Sequence, residues 1–493
     1  DYQITIHPKV RDILVSQLLL ANSKDNFAAA QHLDKILASL KLPPRTSICR
    51  VNLLENSREE AIQNLMEHFR HNWDLTGTVD LLIRNHKDLS DVIEIIATEK
   101  EGEILQSSLD YCIPRPNTAS HLFNEWPQRS SQNWPMTHRV IICDRFCAEA
   151  VLRGSHIYVK GILCADIGIQ AGESVAVYGH LEEKSKPTRG STMNAYLQKR
   201  ELLSISSRSS LPSCLYLGIG KTHCARAEFF SKHTGVGVTM TLERAAPLLP
   251  PLHGLSGVYV QNLPSILVGH ALNPQRGDTI LDMCCAPGGK SSHIANLLQN
   301  QGLIVACEKS RKKVLAMRKL FATSGAITCI QPLALDSTKC FNQNCEFSTI
   351  KEVLHNARMS NFDNVLDVSS GFPASSFDRI MLDPPCSALG LRPKLRISVK
   401  EKELTKHAEY QQKFISQAVE LLKPGGVMTY STCTFNAFEN EANVAFILRE
   451  FGHCMELLPL EGPGQKGLPG HGLSDEQRSF VRRFDPSDEK LDC

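Results

Sequence analysis

The segment LDMCCAPGGKSSH, residues 281–293, decides the fold, because an apolar strand runs there into a glycine turn and then a helix. Glycine lets the backbone approach a ligand closely, and the first turn of a helix attracts negative groups. The next apolar segment ends at Glu308, nineteen residues after Gly289. A carboxylate at that position typically accepts hydrogen bonds from ribose hydroxyls. The segment therefore predicts a site for a nucleoside cofactor.

Strand and helix patterns alternate on both sides of this segment. The apolar runs suited to buried parallel strands are DTILDMC (278–284), GLIVACE (302–308), AITCIQPLAL (326–335), FDRIMLDPP (377–385) and GGVMTYSTC (425–433). Helical stretches lie between them, so the pattern predicts an α/β fold with a doubly wound, Rossmann-like sheet. Asp336 follows the third run, where we expect it to reach an adenine edge. The dinucleotide-binding pattern GxGxxG is absent. The APGGK sequence is instead similar to an S-adenosylmethionine site. The alternative is a tight turn that serves only the packing of the fold.

Composition sets the broad class of the chain. Its 493 residues are enough for two to four domains, and 42% hydrophobic with 22% charged residues is typical of a soluble protein. The formal net charge is only +2, so bulk charge gives no evidence for a nucleic-acid partner. No apolar run approaches the roughly 20 residues of a membrane span, so we expect no membrane partner.

The 17 cysteines are scattered through apolar segments, and no CxxC occurs. This usage predicts a reducing compartment, cytosol or nucleus, and no metal site. We favour the cytoplasm because no nuclear-localisation cluster is evident. We expect a monomer.

Three domains are expected. Residues 1–136 have mixed α+β patterns and end in a linker at 107–137. Residues 137–232 contain short strands between glycines, which predict a small β-barrel followed by a mobile loop at 181–213. Residues 233–493 form the Rossmann-like domain. After MELLPL (455–460) nothing has the pattern of a central strand, so the last strand of the sheet is expected to be missing.

Two cysteines follow strands of the predicted sheet. Asp383 and Cys386 belong to DPPC after one strand, and Cys433 belongs to STCT after another, 47 residues beyond Cys386. A lone cysteine in such a place is usually structural. Because parallel strand ends open into one crevice, however, we expect both cysteines, the acid and the cofactor loop to converge.

These motifs together resemble the Nol/Nop/Sun family of RNA cytosine-5 methyltransferases. The resemblance rests on CCAPGGK (284–290), DPPCS (383–387) and STCT (431–434), with RVN (50–52) and ENE (439–441) in support. It implies an S-adenosylmethionine-dependent enzyme that acts on RNA. Segment 148–179 is similar to a PUA domain, a small RNA-binding barrel, and family members with this insertion act on transfer RNA. In that segment Arg153, His156 and Lys160 are candidate RNA ligands.

The resemblance also implies roles for residues of the site. Carbon 5 of cytosine is a poor nucleophile until a thiolate adds to carbon 6, and the family assigns that thiolate to Cys433. Cys386 takes part in release, Asp383 hydrogen-bonds the base, and Lys290 orients the site. Ala388 stands where the family commonly has glycine. The predicted cofactor-binding residues are Cys284, Cys285, Ala286, Pro287, Gly288, Gly289, Lys290, Glu308, Asp336 and Asp383.

Two alternatives remain open from the sequence. DPPC loosely resembles the DPPY element of enzymes that methylate exocyclic amines, although such enzymes need no nucleophilic cysteine. A non-catalytic PUA-type RNA-binding protein with a degenerate methyltransferase fold is the other alternative. Cofactor binding together with methyl transfer separates these hypotheses.

Overall fold

A computed structural model describes most of the chain. The described residues are 4–44, 46–72, 80–98, 111–113, 138–182, 186–198, 213–244, 255, 257–326, 328–359, 365–368 and 370–488. The predicted linker at 107–137 lies outside them apart from one short strand, and the predicted loop at 181–213 lies outside them in part. None of the helices in the described part combines the length and apolarity needed to cross a bilayer.

The helices and strands are numbered in chain order. The helices are α1 (Pro8–Leu18), α2 (Asn26–Leu40), α3 (Arg58–Asn72), α4 (Arg145–Leu152), α5 (Met193–Gln198), α6 (Arg226–Ser231), α7 (Leu263–Leu272), α8 (Gly289–Leu297), α9 (Arg311–Thr323), α10 (Ile350–His355), α11 (Glu401–Leu421), α12 (Glu441–Phe451) and α13 (Asp475–Ser479). The strands are β1 (Thr46–Val51), β2 (Asp80–Asn85), β3 (Val92–Thr98), β4 (Tyr111–Ile113), β5 (Arg139–Cys143), β6 (Ile157–Tyr158), β7 (Ile162–Ala165), β8 (Ser174–His180), β9 (Ser191–Thr192), β10 (Cys214–Thr222), β11 (Val236–Arg244), β12 (Val258–Val260), β13 (Thr279–Asp282), β14 (Leu303–Glu308), β15 (Ile330–Ala334), β16 (Arg358–Met359), β17 (Leu366–Asp367), β18 (Phe377–Leu382) and β19 (Leu422–Tyr430).

The C-terminal sheet confirms the predicted α/β architecture. Its strand order is β16-β17-β15-β14-β13-β18-β19, and every pair except β16–β17 is parallel. Apolar side chains of α8 and α9 pack on one face of the sheet, and those of α11 and α12 pack on the other. Helices on both faces make the sheet doubly wound, so its strand ends form one open edge.

Among the described residues after Tyr430, no further strand joins this sheet, and β19 lies at its edge. The chain beyond it packs beside the cysteine loops instead. Arg483 is buried and donates hydrogen bonds to the Glu441 carboxylate and to the carbonyl of Phe435, two residues after Cys433.

The inserted unit is a seven-stranded mixed sheet in the order β6-β11-β10-β8-β5-β7-β9. The predicted boundary at residue 232 is wrong, because β11 begins at Val236 and pairs with both β10 and β6. The unit therefore extends at least to Arg244. A polar turn, SKHTG (231–235), separates this strand from the earlier part of the unit.

The N-terminal region also differs from the prediction. Its antiparallel sheet has the order β12-β1-β3-β2-β4, so β12 belongs to this sheet and not to the C-terminal one. Helix α3 packs on the sheet, whereas α1 and α2 pack against Leu389, Ile397 and Phe435 of the C-terminal domain. Helices α1 and α2 thus support the two cysteine loops.

Candidate active site

The turn between β13 and α8 contains a backbone conformation that requires glycine. Gly288 has φ 106°, a conformation that side chains rarely adopt, and a Cβ there would lie 2.8 Å from the Phe321 ring. Asp282 ends β13 fully buried and accepts hydrogen bonds from the Ser291 hydroxyl and, at 3.2 Å, from the Cys284 amide. Burial raises the pKa of Asp282 to about 7, because it disfavours the charged carboxylate.

A cavity of about 210 Å³ opens at this turn. The predicted cofactor residues that line it are Cys284, Cys285, Ala286, Pro287, Gly289, Lys290 and Asp383. A Cβ on Gly289 would lie 3.1 Å from the Tyr259 hydroxyl, so glycine keeps this wall of the cavity open. The loop therefore fits a flat nucleoside ligand held against its backbone.

Three predicted cofactor residues do not line this cavity: Gly288, Glu308 and Asp336. The two acids lie at the ends of the neighbouring strands β14 and β15, and both bond to the loop that follows β14. Glu308 accepts from the Ser310 amide at 2.8 Å, and Asp336 pairs with Lys309 at 2.8 Å. Both acids lie at the same edge of the sheet as the cavity, but neither contributes to its lining.

Sequence reasoning missed one wall of the cavity, formed by Tyr259, Gln261, Asn262 and Ser265. These residues belong to the end of β12 and the start of α7. Tyr259 also lies 5.3 Å from the Arg50 guanidinium, which stacks on its ring. The RVN segment (50–52) supported the resemblance, but nothing in the sequence shows that Arg50 and residues 259–265 meet at the cofactor loop.

Lys290 and Asp383 form the polar centre of the site. Lys290 Nζ lies 2.6 Å from one carboxylate oxygen of Asp383, and the Ser431 hydroxyl donates to the other at 2.9 Å. Burial alone lowers the pKa of Lys290, but the charge and hydrogen bond of Asp383, together with the nearby charge of Asp282, outweigh burial and raise that pKa above its ordinary value. The lysine is thus held as a cation beside the carboxylate.

The two predicted cysteines converge. The Sγ atoms of Cys386 and Cys433 lie 3.2 Å apart, although the residues follow different strands. Cys433 is exposed and Cys386 is half-buried. Their contact lowers the pKa of Cys386 and raises that of Cys433, because one proton is shared between the two sulfurs.

The loop after Cys386 connects the site to the inserted unit. Ala388 has φ 51°, the left-handed region, where the family commonly has glycine. Leu395 is fully buried in the hydrophobic core of the inserted unit. Its amide donates to Glu149 of α4 at 2.9 Å. Arg153 follows α4 and is exposed, as is Lys160, whereas His156 is half-buried.

One cluster among the described residues has the composition of a metal site: Asp91, His270 and His293. Nε2 of each histidine lies 2.8 Å from a different oxygen of the Asp91 carboxylate. That geometry is a pair of hydrogen bonds, and it ties the N-terminal sheet to α7 and α8. Burial lowers the pKa of His293 to about 4, so this ring is neutral at neutral pH.

The doubly wound sheet, the glycine turn and the paired cysteines together define an S-adenosylmethionine-dependent methyltransferase. A family model described as 16S rRNA methyltransferase RsmB/F matches residues 269–492. The chain belongs to this family of RNA cytosine-C5 methyltransferases, as its resemblance to Nol/Nop/Sun proteins predicted.

Two relatives and one solved structure show how far the similarity extends. The chain is 30% identical to the rRNA (cytosine-C(5))-methyltransferase NOP2C of Arabidopsis thaliana, over 93% of this chain and 86% of the relative. It is 31% identical to the tRNA (cytosine(72)-C(5))-methyltransferase NSUN6 of Mus musculus, over 98% of this chain and 89% of the relative. The NSun6 structure of Pyrococcus horikoshii, solved with the S-adenosylmethionine analogue SFG, has 25% identity and a TM-score of 0.61, over 96% of this chain and 94% of that chain.

Proposed function

We propose that this chain methylates carbon 5 of a cytosine in transfer RNA, with Cys433 as the nucleophile and Cys386 as the residue that releases the product. The observation that carries the proposal is the 3.2 Å contact of the two sulfurs beside the Lys290–Asp383 pair. An enzyme that methylates an exocyclic amine needs neither cysteine, since the amine attacks the methyl group directly. The names of the NSUN6 relatives support transfer RNA as the substrate.

Attack begins when the Cys433 sulfur gives up its proton and adds to carbon 6 of the base, while N3 of the ring gains a proton and carbon 5 becomes nucleophilic. The exposed position of Cys433 lets a base reach it. The Asp383 carboxylate, held in place by Lys290 and Ser431, accepts hydrogen bonds from N4 and from protonated N3, and so favours the protonated ring. When S-adenosylmethionine is bound in the loop at 284–290, it supplies the methyl group that carbon 5 accepts.

Release requires a base, because the methylated ring still carries a proton on carbon 5. Cys386 removes this proton, the carbon 5–carbon 6 double bond forms again, and the Cys433 sulfur leaves. The 3.2 Å contact of the two sulfurs supports this role, because it keeps Cys386 close to a base that is bonded to Cys433.

The inserted sheet, as a PUA domain, binds the RNA outside the active site. Arg153, His156 and Lys160 lie in one short segment of that sheet, directly after α4. The same helix bonds to the loop after Cys386 through Glu149 and Leu395. RNA bound by this segment is therefore connected to the cysteine site through the contact of α4 with Leu395.

The test is methyl transfer from labelled S-adenosylmethionine to two transcripts, an unmodified transfer RNA and a fragment of 16S rRNA, followed by nucleoside analysis. We expect 5-methylcytosine in the transfer RNA, its loss in Cys433→Ala, and unchanged transfer in Cys454→Ala, which removes an exposed cysteine outside the site. Label in the rRNA alone would contradict the substrate, and label on an exocyclic amine would contradict the chemistry.

A further inference from the structure

Glu439 is a fully buried carboxylate between the two cysteine loops. It accepts four hydrogen bonds, two on each oxygen. Oε1 accepts from the Ser387 hydroxyl at 2.5 Å and from the Asn436 amide at 2.7 Å. Oε2 accepts from the Ser387 backbone amide and from Gln411, both at 2.9 Å. A carboxylate has about four acceptor directions, so this one is saturated.

The donors to Glu439 come from both loops that carry the cysteines. Ser387 directly follows Cys386, and Asn436 lies three residues after Cys433. The two loops also contact each other, since the Ser387 hydroxyl lies 2.8 Å from the hydroxyl of Thr434. One charged group therefore fixes the position of one loop relative to the other. Charge-assisted hydrogen bonds in a buried site are the strong ones.

The support behind Glu439 is rigid. Gln411 projects from the middle of α11 and is fully buried. Tyr430, the last residue of β19, has its hydroxyl 2.5 Å from the carbonyl oxygen of Glu439 and 2.8 Å from the Gln411 side chain. Helix α11 thus holds the carboxylate of Glu439 through Gln411, and the end of β19 holds its backbone carbonyl through Tyr430.

From this arrangement we infer that Glu439 is a positioning residue that sets the separation of the Cys386 and Cys433 sulfurs. The inference rests on the proposed division of attack and release between these cysteines. The base attacked by Cys433 must present its carbon 5 proton to Cys386, so a shift of either loop slows turnover without weakening RNA binding.

Glu439→Gln is the informative variant because neither orientation of the new amide keeps all four hydrogen bonds. On the Oε1 side the NH2 group would face the Asn436 donor, although the Ser387 hydroxyl can rotate to accept from it. On the Oε2 side the NH2 group would face two donors, the Ser387 backbone amide and Gln411. The matched control is Glu441→Gln, two residues further on. Glu441 is also buried, and a glutamine there keeps the bonds from Arg483 and Leu468 to Oε1 but loses the bond from Arg483 to Oε2 and the charge of the ion pair. This variant therefore controls for the loss of a buried carboxylate charge that does not contact Ser387.

The first readout is independent of methyl transfer. Diamide takes two electrons and two protons from the two thiols, and Cys386 and Cys433 form one disulfide, which peptide mass spectrometry quantifies in the RNA-free protein. We expect disulfide formation at least tenfold slower in Glu439→Gln than in wild type, and within twofold of wild type in Glu441→Gln. Thermal unfolding of all three proteins shows whether loss of stability explains the difference.

The second readout is steady-state methylation of transfer RNA. We expect kcat to fall at least tenfold in Glu439→Gln with KM for RNA within threefold, and Glu439→Asp, which keeps the carboxylate, to recover part of the loss. If Glu439→Gln does not fold, Ser387→Ala tests the same link with a smaller loss in both readouts. Disulfide formation and kcat in Glu439→Gln equal to those of Glu441→Gln would overturn the inference. No methylation by wild type would instead refute the proposed function, and the disulfide comparison would still decide the role of Glu439.

Discussion

The backbone amide of Leu395 donates a hydrogen bond to the Glu149 carboxylate at 2.9 Å, which joins the loop after Cys386 to the inserted sheet. Glu149 is buried and is also paired with Arg145 at 3.0 Å. The Leu395 side chain lies in the core of the inserted sheet, so the contact is apolar as well as polar. The inserted unit is therefore anchored on the same loop that carries a cysteine of the site.

The contact of Leu395 with the inserted sheet predicts that a substitution at this residue lowers both the stability of the protein and its affinity for RNA. Leu395→Ala removes a fully buried side chain, and we expect it to lower the free energy of unfolding by about 3 kcal/mol. We also expect KM for transfer RNA to rise, because the inserted sheet loses its fixed position. Leu391→Ala, in the same loop but 41% exposed, serves as the control and should change neither quantity measurably. Equal effects of the two substitutions on denaturant unfolding would contradict the anchoring role.

A second prediction concerns the Lys290–Asp383 pair. Asp383→Asn keeps the size of the side chain but removes the charge that Lys290 neutralises and that the base needs. We expect kcat to fall about 100-fold or more, within the range for a lost proton-handling group. Ser431→Ala removes a single hydrogen bond to the same carboxylate and should cost about tenfold. Single-turnover methylation measures both, and a smaller loss for Asp383→Asn than for Ser431→Ala would refute the assignment.

The backbone of Ala388 predicts a stabilising substitution. Because its φ is 51°, Ala388→Gly relieves left-handed strain that costs an L-residue about 1 kcal/mol. Ala316→Gly, on the exposed face of α9, should instead destabilise by about 1 kcal/mol, since helical glycine is unfavourable. Denaturant unfolding of both variants tests the difference in sign. A loss of stability in Ala388→Gly would show that the strain is absent.

The buried His293 predicts a pH dependence of stability. Its pKa is lowered to about 4 in the folded protein, chiefly by burial, against an ordinary value near 6.5. Between about pH 6.5 and 4, the unfolded chain therefore binds a proton at His293 that the folded chain does not bind. The free energy of unfolding consequently falls as the pH drops through this range. The full effect is about 3 kcal/mol. Asp91, His270 and Arg50 face the same ring and set its environment.

His293→Gln removes this titration, so its unfolding temperature should fall less between pH 6.5 and 4.5 than that of wild type. His453→Gln, at an exposed position, is the control and should follow the wild-type profile. Parallel profiles for wild type and His293→Gln would contradict the buried neutral ring.

Most of the C-terminal sheet and the meeting of its two cysteines could be predicted from local sequence patterns. Its central strands are short apolar runs, and Cys386 and Cys433 each lie just after one of them. Because the ends of parallel strands share one edge of a sheet, the two cysteines are expected to lie close together. Tyr259 could not be placed in this way. It belongs to a strand of the N-terminal sheet, and only the docking of that sheet brings it to the cofactor loop.

Contacts between units explain the other omissions. Leu395 has the apolar character of a core residue, but nothing local shows that the core belongs to the inserted sheet. Asp91 stands outside every motif and meets His270 and His293 only in the folded chain. The boundary at 232 failed for the same reason, since β11 is defined by its partners β10 and β6.

The most direct test of the account is the fate of the covalent bond between Cys433 and the base. Cys386→Ala should trap it, so transfer RNA with labelled methyl should migrate with the protein on a denaturing gel. Wild type and Cys454→Ala should show little of this species, and the double variant Cys386→Ala/Cys433→Ala should show none. An adduct that persists in the double variant, or one that forms in Cys433→Ala alone, would contradict the assignment of Cys433 as nucleophile and Cys386 as the releasing base.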